Sequence, residues 1–270
     1  MENLFNVKGL VTVITGGSGV LGRGMSEYMC SQGAKVVILG RSRDKAKNLE
    51  DELRKKGYEA TGYSADVLVK ENLEEVASQI MAKYGRVDVL VNAAGGNMAG
   101  ATIPPDKTIF DLEIEAFRKV VDLNLFGTVL PTMVFAKFMV EQKKGSIINV
   151  SSESAIRPLT RVVGYSASKA AMTNFTKYMA TELATKFGEG LRVNAIAPGF
   201  FITEQNRTLL TNSDGSLTAR GEKIIAHTPF GRFGQPEELF GTLHWLASDA
   251  SKFVTGTLTV IDGGFDAFAI

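Results

Sequence analysis

The sequence predicts a single α/β domain over residues 1–270, built as a doubly wound parallel sheet of about seven strands with helices on both faces. Three observations predict this class. Short apolar runs recur along the chain, helix-length segments alternate with them, and a glycine-rich turn follows the first run. Hydrophobic residues make up 44% of the chain and charged residues 22%. This composition provides enough apolar surface for one buried core and gives no sign of disorder.

The predicted strands are runs of 5 or 6 residues, most of them rich in Val and Ile. They show little polar alternation, which is typical of strands buried on both faces of a parallel sheet. The runs are 10–15, 35–39, 60–64, 87–92, 146–150, 192–196 and 257–261, of which 60–64 is the weakest. An eight-stranded barrel is the alternative, but the strand count and the glycine turn favour the open sheet.

The segments between the runs have apolar residues three and four positions apart, as amphipathic helices do. They include 23–32, 73–81, 115–140 and 165–187. Two stretches are less regular, 97–111 and 200–234, and both follow predicted strands. We therefore expect them to overhang the carboxyl edge of the sheet, where ligands bind in open α/β folds, and we take 200–234 as the substrate rim.

Charge and composition exclude several classes of partner. The 30 Lys and Arg residues balance 29 Asp and Glu residues for a net charge of +1, without clusters, so we expect no nucleic-acid partner. No signal-peptide pattern is evident, and no apolar run approaches the roughly 20 residues that span a bilayer, so we expect a cytoplasmic protein without a membrane partner. The single cysteine, Cys30, has no disulfide partner. No residue cluster has metal-ligand spacing, so we expect no metal.

The first predicted turn contains the pattern G-x-G-x-x-G between a strand and a helix. Such a turn lets backbone N–H groups and a helix N-terminus approach a pyrophosphate, which is typical of the Rossmann fold. A tight turn without a ligand is the alternative. The candidate dinucleotide-binding residues in this turn are Gly16, Gly17, Ser18, Gly19, Val20, Leu21 and Gly22.

The end of the second predicted strand bears on the choice of dinucleotide. An NAD site usually presents an acidic residue there, but this chain has Gly40 followed by Arg41. A guanidinium can pair with a 2′-phosphate, which favours NADP(H). NAD(H) stays possible, because Arg41 could also stack on the adenine or face solvent. Asp66, after the third run, is placed to hydrogen-bond the adenine, with a helix N-cap as the alternative.

Tyr165 and Lys169 are four residues apart on a predicted helix and therefore share one face. A nearby ammonium favours the phenolate and should lower the tyrosine pKa from about 10, as a general acid/base for an alcohol or ketone requires. Alone, such a pair is more typical of a solvated helix surface than of a catalytic site. Ser152 follows the fifth predicted strand, 13 residues before Tyr165, and can reach the start of that helix.

With these motifs in order from Thr15 to Gly264, the chain resembles the short-chain dehydrogenase/reductase family. The resemblance implies that Ser152 orients the substrate oxygen, that Tyr165 transfers the proton, and that Lys169 holds the nicotinamide ribose. It also implies Asn124 as the residue that holds a water in the proton relay. Further cofactor contacts implied are Val67, Asn92, Ala93, Ala94, Gly95, Pro198, Gly199 and Thr203, together with Tyr165 and Lys169.

The glycine turn of this chain differs from the family pattern at one position, and the family also implies an oligomeric state. The family turn usually reads T-G-x-x-x-G-x-G, whereas this chain has Val20 where the second-last glycine belongs and Gly19 one place earlier. Family members commonly form tetramers through long helices, which implies a homotetramer built on 115–140 and 165–187.

The candidate substrate-binding residues are polar: Asn97, Ser152, Glu153 and Arg157, with Arg161 nearby. A polar set indicates a small hydroxylated substrate, and an arginine indicates a carboxylate, although each arginine could be an ordinary surface charge. On this basis the Arg157→Ala variant should have a raised KM for an acidic substrate.

Three short motifs narrow the resemblance to one branch of the family. GVLG at 19–22, GGN at 95–97 and RPLT at 157–160 are similar to the branch of D-mannonate oxidoreductases and fructuronate reductases, which implies a keto sugar acid substrate. Gluconate 5-dehydrogenases and deoxy-ketouronate reductases are alternatives. A 3-oxoacyl-type reductase and a non-catalytic dinucleotide-binding protein stay open as more distant ones.

Overall fold

The computed structural model describes residues 3–203 and 206–269. Its centre is one parallel sheet of seven strands in the order β3-β2-β1-β4-β5-β6-β7. The strands are β1 Val11–Thr15, β2 Lys35–Gly40, β3 Ala60–Ser64, β4 Val89–Asn92, β5 Gly145–Val150, β6 Leu191–Pro198 and β7 Leu258–Ile261. This sheet confirms the predicted fold class, and each predicted run contains one strand or overlaps it closely.

Helices cover both faces of the sheet. They are α1 Val20–Ser31, α2 Arg43–Lys55, α3 Lys70–Tyr84, α4 Ile114–Val121, α5 Gly127–Gln142, α6 Val163–Phe187, α7 Arg207–Leu210, α8 Ala219–Ala226 and α9 Phe240–Ala247. Neighbouring strand residues face opposite sides, so Ile14 packs in a cluster with α1, α2 and α9, whereas Val13 packs in a cluster with α3, α5 and α6. Both clusters consist of buried apolar side chains, which explains why the strands are continuous apolar runs in the sequence.

The strand order reverses between β1 and β4, which lie side by side although β2 and β3 come between them in the sequence. In open α/β sheets the loops beyond the carboxyl ends diverge at such a point and leave a crevice. The turn after β1, the segment after β4 and the loop after β5 therefore meet at one edge. The candidate site lies there.

The predicted helix 115–140 is not a single regular helix. It consists of α4 and α5 joined by a π-helical turn, Asp122–Phe126, in which Asn124 is fully buried. A π-helical turn adds a residue to the spiral and often marks a functional position. Periodicity alone could not detect it, because one inserted residue changes the apolar spacing only slightly.

The span Ile114–Gln142 is also long and apolar enough to cross a bilayer, with a mean hydropathy of 1.5 over its most apolar window. This differs from the expectation that no segment approaches that length. Half of the window is buried inside the protein, and the core helix of a globular domain meets the same criterion. The helix is therefore weak evidence for a membrane span.

Candidate active site

The glycine turn is packed so tightly that a side chain cannot be accommodated at Gly22. The α-carbon of Gly22 lies against the carbonyl oxygen of Gly16, and a Cβ on Gly22 would collide with it. Gly19 is the N-cap residue of α1, and no side chain caps this helix end or places an acidic group in its first turn. The free N–H groups and the positive end of the helix dipole suit a pyrophosphate.

Helix α1 begins at Val20, three residues before the predicted start. The first turn of this helix belongs to the glycine loop and shows no apolar periodicity. The departure from the family turn lies at this helix start, where Val20 is 46% exposed. A β-branched residue is tolerated there because its side chain points into solvent and does not enter the packed turn.

The segment after β4 is fastened to the glycine turn. Thr15 Oγ1 accepts hydrogen bonds from the N–H groups of Ala93 (3.1 Å) and Ala94 (3.2 Å). Asn92 is buried, and its Nδ2 donates to Asn149 Oδ1 at 2.9 Å and to Thr132 Oγ1 at 3.0 Å. The Asn92 side chain therefore ties β4 to β5 and α5, whereas the sequence predicted a direct cofactor contact.

Asn124 and Lys169 meet beside Gly95. Asn124 Nδ2 donates to the carbonyl oxygens of Gly96 (2.6 Å) and Val120 (2.8 Å), and its Oδ1 accepts from Gly96 N–H at 3.0 Å. A Cβ on Gly95 would lie 2.7 Å from Asn124 Oδ1 and 3.3 Å from Lys169 Nζ. Only glycine leaves room for this close approach, so the 95–97 segment and the π-helical turn form one unit.

Lys169 is buried, and its ammonium donates to the carbonyl oxygen of Val150 at 2.7 Å. The same Nζ lies 5.5 Å from the centre of the Tyr165 ring. Ser152, at the end of β5, accepts a hydrogen bond from Ser154 N–H at 3.2 Å and interacts with the Tyr165 hydroxyl. The four predicted catalytic side chains are thus brought to one edge of the sheet.

Burial is the largest influence on the pKa values of Tyr165 and Lys169. It raises the pKa of Tyr165, and the hydrogen bond with Ser152 opposes the rise. Burial also lowers the pKa of Lys169 to about 7. The lowered tyrosine pKa expected from a neighbouring ammonium is therefore not found, because desolvation disfavours the charged form of both groups. At neutral pH the phenol holds its proton and can donate it, and Lys169 is close to its own pKa.

The residues predicted to contact the adenosine end of the dinucleotide lie at the same carboxyl edge of the sheet. Arg41 is exposed at the end of β2, beside Gly40, where a Cβ would lie 2.8 Å from Ser18 Oγ. The Asp66 carboxylate accepts a hydrogen bond from Leu68 N–H at 2.9 Å, which closes a short turn. The N-cap residue of α3 is Val69. Neither the N-cap alternative nor an ion pair of Asp66 is present among the described residues. Val67 is buried against the first residue of α5.

The residues predicted at the nicotinamide end follow β6. Pro198 ends this strand, and Gly199 packs against Asp262, where a Cβ on the glycine would lie 2.6 Å from the aspartate Cβ. Thr203 N–H donates to Asn206 Oδ1 at 2.8 Å. These contacts connect the start of the 200–234 segment to the turn after β7.

The predicted substrate-binding residues have different surroundings. Asn97 is exposed at the rim, and its Nδ2 donates to Thr102 Oγ1 at 2.9 Å. Glu153 is only 1% exposed, and neither carboxylate oxygen has a hydrogen-bond partner among the described residues. Arg157 Nε pairs with Asp266 Oδ1 at 2.8 Å, and its Nη2 donates to the Asp266 carbonyl oxygen. Direct substrate contact by Glu153 or Arg157 is thus not what this geometry favours.

Sequence reasoning missed the C-terminal turn as part of the site. Asp262 Oδ2 accepts from Asp266 N–H at 2.6 Å, and Asp266 holds Arg157. The chain separation between Arg157 and Asp266 hides this pair from any local pattern.

Comparison with known proteins agrees with this geometry. The model of the short chain dehydrogenase family matches residues 10–214. Uncharacterized oxidoreductase UxuB of Bacillus subtilis (strain 168) is 44% identical over 273 residues, covering 98% of this chain and 97% of its own.

Two solved structures are similar over nearly the whole chain. A candidate D-mannonate oxidoreductase from Haemophilus influenza, with bound NAD, has a TM-score of 0.92 at 38% identity and covers 98% of this chain and 97% of its own. A gluconate 5-dehydrogenase from Burkholderia cenocepacia J2315, in complex with NADP and tartrate, has a TM-score of 0.87 at 30% identity. The match covers 99% of this chain and 98% of that one. The chain therefore belongs to the short chain dehydrogenase family, and it is an NAD(P)-dependent oxidoreductase that acts on alcohol or carbonyl groups.

Proposed function

We propose that this enzyme interconverts a keto sugar acid and the corresponding hydroxy acid, as in the fructuronate/mannonate pair. The observation that carries the proposal is the placement of Ser152, Tyr165, Lys169 and Asn124 at one edge of the sheet, where the loop after β5 and the 200–234 segment also carry exposed arginines. Arginines at this edge suit an acid, because a guanidinium pairs with a carboxylate. The similarity to a candidate D-mannonate oxidoreductase supports the same class.

Each of the four side chains has a proposed role. The Ser152 hydroxyl donates a hydrogen bond to the substrate carbonyl oxygen, and the protonated Tyr165 phenol donates its proton to that oxygen. Lys169, with a pKa near 7, resupplies the proton. Asn124 keeps the 95–97 segment in place beside Lys169. General acid catalysis of this kind contributes about 10² to 10⁴-fold in rate.

The crevice suits a dinucleotide, because helix α1 begins at its mouth without a side-chain cap, and the close packing of Gly22 on Gly16 leaves room for a phosphate to approach the backbone. The residues that would hold it are the 16–22 turn, the 92–95 segment, Lys169 and the 198–203 segment. A bound reduced nicotinamide would supply the hydride. The exposed Arg41 at the end of β2 favours the 2′-phosphate of NADP(H), with NAD(H) as the alternative.

The test is an assay of nicotinamide absorbance with a panel of keto sugar acids, run once with NADH and once with NADPH. Fructuronate, 5-ketogluconate and a deoxy-ketouronate distinguish the candidate branches, and a 3-oxoacyl thioester tests the lipid alternative. We expect turnover of a keto acid at a higher kcat/KM than of its neutral keto sugar. Preference for the thioester would refute the proposed substrate class while leaving the family membership intact.

We further propose a cytoplasmic homotetramer. The long helices leave apolar and aromatic side chains exposed, including Met133 on α5 (49%) and Tyr178 on α6 (62%), and Phe253 before β7 is fully exposed. Contact between copies would cover these groups. Light scattering on the purified enzyme tests this assembly, and a monomer at micromolar concentration would contradict it.

A further inference from the structure

The chain after β7 forms a tight turn over residues 262–267. Asp262 Oδ1 accepts a hydrogen bond from Gly264 N–H at 2.8 Å, and its Oδ2 accepts one from Asp266 N–H at 2.6 Å. Gly264 has a left-handed φ of 92°, and a Cβ on it would lie 3.0 Å from the Pro229 ring. The turn is therefore fixed by its own hydrogen bonds and by close contact with the substrate rim.

The Ser152 hydroxyl belongs to another short turn, the 3-10 turn Glu153–Ala155, of which Ser152 is the N-cap residue. Ser154 N–H donates to Ser152 Oγ at 3.2 Å, and Ala155 N–H donates to the Ser152 carbonyl oxygen at 3.0 Å. Because an N–H group occupies one lone pair of the hydroxyl oxygen, the hydroxyl proton stays available for another acceptor. The geometry of this 3-10 turn therefore sets the position and direction of the Ser152 hydroxyl.

The backbone is anchored on both sides of the 3-10 turn by different means. Before it, Ser151 N–H donates to the carbonyl oxygen of Ile196 in β6 at 2.7 Å. After it, Arg157 N–H donates to the Glu153 carbonyl oxygen at 3.0 Å. The Arg157 guanidinium then donates through Nε to Asp266 Oδ1 at 2.8 Å and through Nη2 to the Asp266 carbonyl oxygen. The sheet thus holds one end of the turn, and the C-terminal turn holds the other.

Charge gives the pair of Arg157 and Asp266 a second effect. Glu153, inside the 3-10 turn, is buried. Burial and then the negative charges of Asp266 and Asp262 raise the pKa of Glu153, whereas the positive charge of Arg157 lowers it. The Arg157 guanidinium therefore offsets the repulsion between acidic groups of the two turns, in addition to joining them by hydrogen bonds.

We propose that Asp266 is a positioning residue for Ser152, on which it acts through Arg157 and the 3-10 turn. This inference rests on the proposed role of Ser152 in binding the substrate oxygen, and it holds for any carbonyl substrate. The Ser152 hydroxyl must meet that oxygen in the transition state, and a displacement of about 1 Å can cost on the order of 10²-fold in rate. The half-exposed ion pair therefore matters more for the place of the hydroxyl than for the stability of the fold.

The first test compares Asp266→Ala with Asp266→Asn, which keeps an oxygen that can accept from Arg157 Nε. Asp249→Ala is the matched control, because Asp249 forms a partly exposed ion pair with Lys144 at the opposite, amino edge of the sheet. With the carbonyl compound that the parent reduces fastest, we expect Asp266→Ala to lower kcat at least fivefold with KM within about twofold. Asp266→Asn should lower kcat by a smaller factor, and Asp249→Ala should leave it within twofold of the parent. A kcat of Asp266→Ala within twofold of the parent would overturn the proposal.

The second test asks whether Asp266 acts through Ser152. In a Ser152→Ala background, Asp266→Ala should change kcat/KM less than twofold, because the hydroxyl that it positions is gone. The same loss in both backgrounds would show that Asp266 acts elsewhere and would overturn this inference alone. Parental turnover by Ser152→Ala itself would overturn the proposed role of Ser152, and this inference with it.

Hydrogen exchange measures the position of the turn without any turnover. We expect the amides of residues 152–157 to exchange at least fivefold faster in Asp266→Ala than in the parent, and at the parental rate in Asp249→Ala. Parental exchange of these amides in Asp266→Ala would overturn the proposal whatever the kinetics show. Melting curves and dinucleotide affinity for each variant verify that the fold and the cofactor site are intact.

Discussion

The buried carboxyl group of Glu153 makes stability depend on pH in a way that one substitution can isolate. Burial is the main cause that raises its pKa from 4.5 to about 7, the negative charges of Asp266 and Asp262 add to the rise, and Arg157 opposes it. Its carboxylate oxygens accept no hydrogen bond from any described residue. The ionised form is therefore disfavoured in the folded protein.

The direction and size of the change in stability with pH follow from the pKa of Glu153 in the folded protein. Because the folded value exceeds the unfolded one, the stability contributed by protonated Glu153 is complete below pH 4.5, falls as the pH rises to about 7, and stays lost above it. Each pKa unit corresponds to about 1.4 kcal/mol, so the loss is at most on the order of 3 kcal/mol. Glu153→Gln keeps the shape of the protonated side chain and cannot ionise.

The assay is urea unfolding of the parent and Glu153→Gln between pH 5 and pH 8. We expect the variant to be more stable than the parent by less than about 1 kcal/mol at pH 5 and by about 1–3 kcal/mol at pH 8. Glu189→Gln is the matched control, because Glu189 is exposed and makes no ion pair within the described residues. A Glu153→Gln variant that is no more stable than the parent at pH 8 would refute the reasoning.

Three further variants test the cofactor site, the C-terminal turn and the packing around the proton relay. Arg41→Asp should raise the KM for NADPH at least tenfold and leave that for NADH nearly unchanged, and equal effects on both would contradict a 2′-phosphate contact. Arg157→Ala should cost only about 0–1 kcal/mol in urea unfolding, because its ion pair is partly exposed, and should change the KM for an acidic substrate little, because the guanidinium is already paired with Asp266. Gly95→Ala should abolish most turnover, since the added Cβ would press on Asn124 Oδ1, and normal activity would show that this contact is dispensable.

The sequence was informative wherever one local property decided the structure. Continuous apolar runs located the seven strands to within about two residues at either end, because buried parallel strands have few polar positions. The carboxyl ends of those strands then placed Ser152 near Tyr165. The glycine spacing located the turn after β1, whose close packing excludes side chains.

Properties that depend on contacts between residues far apart in the chain could not be predicted from the sequence. The pairing of Arg157 with Asp266 joins residues far apart in the sequence, so the arginine looked available for a substrate. The pKa of Tyr165 was expected to fall because Lys169 is close, but the depth of burial determines the direction, and burial is a property of the whole fold. The π-helical turn at Asn124 likewise requires the packing of α4 and α5 against α6.

The most direct test of the account is the Tyr165→Phe variant, measured for both turnover and dinucleotide affinity. We predict that kcat/KM for a keto sugar acid falls by about 10² to 10⁴-fold, while the dissociation constant for the dinucleotide, measured by fluorescence quenching, changes less than threefold. Turnover at the parental rate by this variant would contradict proton donation by Tyr165.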